Sequence, residues 1–211
     1  MLEEIYKLYE EKKDEIKAKI REFEEMKNAS DEKIFAELAF CLCTPQSKAK
    51  ECEKAIKMLE ENKLLFFGNE KQIIPFLNKI RFAKNKARFI VLARQQFLKN
   101  QKIKMKEFLN QFKNSMEARE WLVKNVKGLG YKEASHFLRN IGFAKDLAIL
   151  DRHVLRCLLD FNVIKELPKT LTGRKYFEIE EKMKEFSKKV GISLVELDLL
   201  LFYRQTGNII K

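Results

Sequence analysis

The chain has 211 residues, 45% of them apolar and 35% charged, and 43 Lys and Arg against 31 Asp and Glu give it a net charge of +12. This mixture excludes a disordered chain. The length allows one large domain or two small ones, burying roughly 70% of the unfolded surface without a disulfide or structural metal. With only seven Gly and three Pro there is little punctuation for hairpins, and the abundance of Lys, Glu, Leu, Ala and Ile points to an all-α protein.

In chain order, Leu2, Ile5, Leu8, Ile16, Ile20, Phe23 and Met26 recur at helical spacing, so residues 1 to about 27 read as one amphipathic helix. The acidic Leu2-Glu3-Glu4 start is unlike a signal peptide. Ser30-Asp31-Glu32 offers a cap and an acidic first turn for a second helix that runs to about Cys43. Thr44-Pro45-Gln46-Ser47 breaks it, and Ala49, Cys52, Ile56 and Leu59 mark a third. A short helix is expected over Ile73–Ile80 and another through Ala87, Ile90, Ala93 and Phe97. Further helices are expected near 105–113, 115–126, 131–141, 152–160, 174–190 and 193–204, ten or eleven in all.

Leu194–Tyr203, the most apolar stretch, is too short to span a bilayer and carries Glu196 and Asp198. Cysteines at 41, 43, 52 and 157 match no zinc spacing and suit reduced core thiols. A soluble, cytoplasmic protein without a metal or a membrane partner is therefore expected.

The basic charge is concentrated. Between Glu70 and Glu107 there are eleven Lys and Arg and no acid, which leaves a net +1 for the other 175 residues. Phe82, Phe89 and Phe97 are interleaved with these bases. A general enrichment in lysine would bring acids with it, so the asymmetry favours a surface that meets a polyanion, with nucleic acid the leading partner.

The most informative stretch lies between two amphipathic segments, one with Trp121, Leu122 and Val126 and one with Ala134, Phe137, Leu138 and Ile141. Gly128-Leu129-Gly130 joins them. Two glycines allow a tight reversal that brings backbone amides to the surface at a helix N-terminus, where they bind phosphate without reading sequence. Lys132 follows two residues later, and Asp151 stands nineteen residues beyond it, at the N-cap position of the next helix.

The run Val126-Lys-Gly-Leu-Gly-Tyr-Lys132-Glu-Ala-Ser-His-Phe-Leu-Arg-Asn140, followed by Leu147-Ala-Ile-Leu-Asp151-Arg-His153, resembles the helix–hairpin–helix DNA glycosylases of the endonuclease III and 8-oxoguanine glycosylase superfamily. It is most similar to the type 2 8-oxoguanine DNA glycosylase/AP lyases, a likeness extended by Leu167-Pro168-Lys169, Arg174-Lys175-Tyr176 and the terminal Lys211. The resemblance implies a two-lobed fold with a DNA-binding cleft between the lobes. One lobe is a helical barrel over residues 31–140 that ends in the helix–hairpin–helix (about 117–141); the other combines 1–30 with 141–211. It also implies a monomer acting on double-stranded DNA that contains oxidised guanine, with no cofactor. The four-cysteine cluster of endonuclease III is missing, so no iron–sulfur centre is expected.

By the same resemblance Lys132 is the nucleophile, attacking C1′ of the damaged nucleoside to form a Schiff base that permits β-elimination. A free lysine is almost wholly protonated at neutral pH, and burial together with the positive helix end would lower its pKa. Asp151 would assist it and stabilise the oxocarbenium-like sugar. His153, with Gly128 and Gly130, would bind phosphate, and Arg81 would contact DNA. Gln46 matches the superfamily's wedge, which fills the gap left by the flipped nucleotide. Phe82 and Phe202 would sandwich the base, with phenylalanine at 202 where many relatives have tryptophan. The carboxylate of Lys211, and Asp198, would read the base edge, since 8-oxoguanine differs from guanine in carrying N7–H. The readings left open are a glycosylase for oxidised pyrimidines, a non-catalytic helix–hairpin–helix module, ordinary core roles for Phe82 and Phe202, a plain proline turn at Gln46, and a purely capping Asp151. His136 reads as a structural hydrogen-bonder.

Overall fold

A computed structural model of the protein describes residues 2–209. These form twelve α-helices, two short 3₁₀ turns and one two-residue-per-strand hairpin, so the fold is all-α. The chain divides into two units: Asn28–Phe137, and Met1–Lys27 together with Leu138–Lys211.

In the unit Asn28–Phe137 the core is built on α2 (Asp31–Cys43), in which every residue from Ile34 to Cys43 is buried. A helix apolar on all sides must be enclosed, and α2 packs against α3 (Ala49–Glu61), α6 (Ala83–Phe97) and α7 (Met105–Leu109). Ser30 caps it by accepting from Lys33 N at 3.3 Å, while Asp31 accepts from Lys106 N at 2.7 Å and so ties the start of α7 to the start of α2.

The helix expected over 73–80 is instead α5 (Glu70–Ile73) followed by a 3₁₀ turn at Ile74–Leu77, because Pro75 supplies no N–H to continue an α-helix. One turn of helix at Leu64–Phe67, α4, has no counterpart in the sequence reading. Arg94 holds it by donating to the carbonyls of Leu64, Leu65 and Gly68 at 3.4, 3.1 and 2.7 Å. The hairpin of β1 (Leu98–Lys99) and β2 (Lys102–Ile103) was not expected either. Its turn places Asn100 and Gln101 at φ 51° and 62°, the paired left-handed geometry of a tight hairpin, without a glycine to announce it. Phe97, Phe108, Phe112 and Trp121 then cluster, with the Phe108 centroid 4.9, 5.0 and 4.5 Å from those of Phe97, Phe112 and Trp121, joining α6 and α7 to α8 (Ser115–Asn125).

In the other unit α1 (Leu2–Glu25) buries Ile5, Ile16 and Phe23 and packs on α12 (Leu194–Thr206), which also packs on α10 (Arg152–Asp160) and α11 (Gly173–Val190). Arg204 of α12 bonds Glu4 at 2.8 Å and Asp160 at 2.7 Å, and Tyr9 donates to Glu196 at 2.8 Å. Among the described residues no helix is long and apolar enough to cross a membrane.

Candidate active site

The glycine-containing turn links α8 to α9 (Tyr131–Asn140). Arg119 of α8, wholly buried, donates to Ser135 Oγ of α9 at 3.1 Å, and Tyr131 donates to Glu120 at 3.1 Å, so polar contacts as well as packing fix the two helices. Gly128 has φ 89°, and a Cβ there would lie 2.2 Å from the ring of Phe89. Only glycine fits, on both counts. Beyond the turn, α9 opens with its first-turn amides pointing back along its axis, an arrangement suited to a phosphate.

Lys132 stands on that opening turn. Its side chain is 23% exposed, and Nζ lies 3.6 Å from Glu133 Oε1. The buried thiol of Cys52 lies near enough to feel the lysine's charge, although burial dominates and pushes that thiol up to about 11. His136, further along α9, is buried edge-on to Phe40 at 5.8 Å, a core position.

Two exposed turns of the same unit carry Gln46 and Phe82, both in the left-handed region that non-glycine residues seldom adopt, at φ 54° and 59°. Phe82, 55% exposed, is covered on one side by the Arg81 guanidinium, 5.2 Å from its centroid. The two turns are joined from beneath by Lys86, whose side chain is buried. Its Nζ donates to Cys43 O and Pro45 O, each at 2.7 Å, and to Ser47 Oγ at 3.0 Å; Ser47 Oγ also accepts from Arg81 N at 3.1 Å. Of the eleven bases whose concentration suggests a surface for a polyanion, Lys86 is buried and Arg94 spends its donors on carbonyls. A signal for Lys86 was available: positions 86, 90, 93 and 97 form the buried stripe of α6.

In the other unit a segment without regular secondary structure, Leu147–Leu150, leads to Asp151. Three buried side chains hold its main chain. Ala148 N donates to Glu180 at 2.8 Å, Ile149 N donates to Asp198 Oδ1 at 3.0 Å, and Tyr176 OH donates to Ala148 O at 2.6 Å. Neither Glu180 nor Tyr176 was marked by the sequence as belonging near the site.

Asp151 caps α10, with Oδ1 accepting from both His153 N and Val154 N at 2.8 Å; Oδ2 accepts no hydrogen bond from the described residues. His153 meets Phe202 edge-on at 5.5 Å, so the structure brings these two candidates together. Asp198 is buried, only 2% exposed. Beyond its bond to Ile149 N it pairs with Arg139 at 2.7 Å, so both oxygens serve the interior of this unit. Lys132 and Asp151 belong to different units, and Lys211 lies outside the described residues.

The family model described as 8-oxoguanine DNA glycosylase matches residues 16–192 of the chain. The chain is 46% identical over 209 residues to the 8-oxoguanine DNA glycosylase/AP lyase of Fusobacterium nucleatum, covering 99% of this chain and 96% of that protein. To the protein of the same name from Methanocaldococcus jannaschii it is 43% identical over 200 residues, covering 94% and 93%. Among solved structures it is similar to the M. jannaschii 8-oxoguanine glycosylase/lyase in complex with 15mer DNA containing 8-oxoguanine, with a TM-score of 0.90, 39% identity and coverage of 100% and 99%. The 8-oxoguanine DNA glycosylase of Thermotoga maritima matches with a TM-score of 0.88 at 32% identity, covering 100% and 98%.

Proposed function

Because the chain belongs to the 8-oxoguanine DNA glycosylase family, we infer the residues that carry its reaction. The protein is a bifunctional base-excision repair enzyme, an 8-oxoguanine DNA N-glycosylase with AP-lyase activity, and its partner is DNA. The nucleophile is Lys132. One observation supports this above the others: a partly exposed lysine on the opening turn of the second hairpin helix, two residues after Gly130.

Neutral Lys132 Nζ attacks C1′, and the C1′–N9 bond breaks with its electron pair leaving on the base, which takes up a proton. Nζ, already bonded to C1′ and having lost a proton, then expels O4′, which takes up a proton as the sugar opens, and the C1′=Nζ double bond so formed is the protonated Schiff base. Loss of a C2′ proton then expels the 3′ phosphate. Developing positive charge on the sugar calls for a fixed carboxylate, and Asp151 meets that need with Oδ2, the oxygen not used in its cap.

Phe82 and Phe202 stack on the extruded base, Gln46 fills the gap it leaves, and His153, Gly128, Gly130 and Arg81 bind the strand. The terminal carboxylate of Lys211 accepts from N7–H of 8-oxoguanine. Asp198 is reassigned from base contact to positioning, since its burial aims it at the main chain before Asp151. The enzyme works as a cytoplasmic monomer on duplex DNA.

The test is borohydride trapping of wild type and Lys132→Gln on duplexes that carry 8-oxoguanine, thymine glycol or undamaged guanine. A covalent adduct with 8-oxoguanine alone, absent in the variant, is expected. An adduct mainly with thymine glycol would overturn the pocket assignment, and an adduct that persists in the variant would remove Lys132 as nucleophile.

A further inference from the structure

We propose that Lys86 is a positioning residue for base extrusion: by bonding the turn that carries Gln46 from below while its own helix begins at Phe82, it sets the distance between the wedge and the stacking ring. The proposal rests on the roles given above to Gln46 and Phe82.

An ammonium has three N–H donors. Here they meet three acceptors, Cys43 O, Pro45 O and Ser47 Oγ, at 2.7, 2.7 and 3.0 Å. Both ends of the arrangement are thereby fixed. The first two carbonyls and the hydroxyl all belong to Cys43–Ser47, the segment that ends α2 and presents Gln46. On the other side, Lys86 N donates to Phe82 O at 3.0 Å, and Arg81 N donates to the same Ser47 hydroxyl at 3.1 Å. A single residue therefore links the two exposed turns through its backbone and through its side chain.

Stability alone does not account for a lysine at this position. Its place in the stripe with Ile90, Ala93 and Phe97 would take a methionine or leucine at no desolvation cost, whereas a buried ammonium is expensive even when its hydrogen bonds are made. No carboxylate hydrogen-bonds it; burial pulls its pKa down while Cys43, Cys52 and Glu133 push it up. What the ammonium supplies, and a methionine would not, is three directional bonds to one segment. Gln46 and Phe82 both sit in left-handed backbone geometry that non-glycine residues seldom adopt, so each would relax toward commoner conformations if untethered. A wedge and a ring that fill and cap one extruded nucleotide must keep their spacing to a fraction of an ångström.

The experiment uses the full chain with Lys86→Met, which matches the stem of lysine but donates nothing. Three readouts are compared under single-turnover conditions: excision of 8-oxoguanine, cleavage at a preformed abasic site, and the fluorescence rise of 2-aminopurine beside the lesion, which reports extrusion. An abasic site has no base to extrude. The expected result is a loss of tenfold or more in excision, about 1.4 kcal/mol in barrier, with a matching loss in the fluorescence rise and abasic cleavage within about twofold of wild type. Equal losses of excision and abasic cleavage would show a general structural role and overturn the proposal, as would unchanged excision in a folded variant. Should Lys86→Met not fold, Ser47→Ala removes one acceptor and the bridge to Arg81. A selective loss of excision in that variant supports the proposal, and its absence overturns it. Failure of the underlying reading is separate: wild type would then form no adduct with 8-oxoguanine DNA.

Discussion

Asp198 places a buried charge directly behind the main chain that delivers Asp151. Burial pushes its carboxyl up to about 6, against the lowering pull of Arg139 and of the Ile149 amide, while the charge of Asp151 adds to the rise. In the unfolded chain the group titrates near its ordinary value of 3.8. Between those two values the folded state holds a proton that the unfolded state has lost, so this residue makes the fold gain stability as pH falls, the reverse of the usual carboxylate. Urea unfolding of wild type and Asp198→Asn should therefore show the difference, wild type minus variant, moving in favour of wild type by about 1 kcal/mol from pH 7 to pH 5. A difference that stays flat or moves the other way would mean that Arg139 keeps Asp198 ionised throughout. Protonation would also loosen the grip on Ile149 N, so the main chain before Asp151 is held most firmly above the folded-state value.

At the scale of elements, the turn between α8 and α9 is the least forgiving part of the molecule. Gly128→Ala must accept both a left-handed φ of 89° and a Cβ 2.2 Å from the Phe89 ring. A loss of about 3 kcal/mol is expected, measured as a shift in the denaturation midpoint. Gly130→Ala, which has an ordinary φ and meets only Glu133 Oε2 at 3.1 Å, should lose much less. These demands are local, and local demands are what the sequence makes legible: Ser30 and Asp151 as caps, the Gly-Leu-Gly turn and the amphipathic helices could be read from residue type and spacing. What escaped were one local turn with no glycine to mark it and features fixed by partners distant in the chain. The hairpin of β1 and β2 turns on Asn100 and Gln101 without a glycine. Lys86 looks like any base in a lysine-rich run until its three acceptors, about forty residues away, are known. Glu180 and Tyr176 lie on α11, some thirty residues from the segment they hold.

For the molecule as a whole, the concentrated charge makes a quantitative demand on DNA binding. Of the eleven bases between Glu70 and Glu107, Lys86 is buried and Arg94 is used internally, while Lys99 pairs with Glu107 and Lys79 approaches Glu51 at 3.9 Å. Lys84 and Arg88 are exposed on α6 beside Phe82, and no ion pair among the described residues involves them. Each phosphate neutralised contributes close to one unit to the slope of log K against log salt. Changing both to Gln should lower that slope by about 2 and weaken damaged and undamaged duplexes alike, measured by fluorescence anisotropy across a salt series. An unchanged slope would place the phosphate contacts on other bases.

The division of the chain into units also bears on how the protein is made. Asn28–Phe137 is continuous, so all of its contacts are available once about two-thirds of the chain has left the ribosome. The other unit is split, and α1 packs on α12, which is synthesised well over a hundred residues later. At about 5–20 residues per second the apolar stripe of Ile5, Ile16 and Phe23 waits roughly ten to thirty seconds for its partner. During that interval the dense alternation of Lys and Glu along α1 is its main protection from aggregation, which gives those surface charges a task during synthesis that the finished enzyme no longer needs.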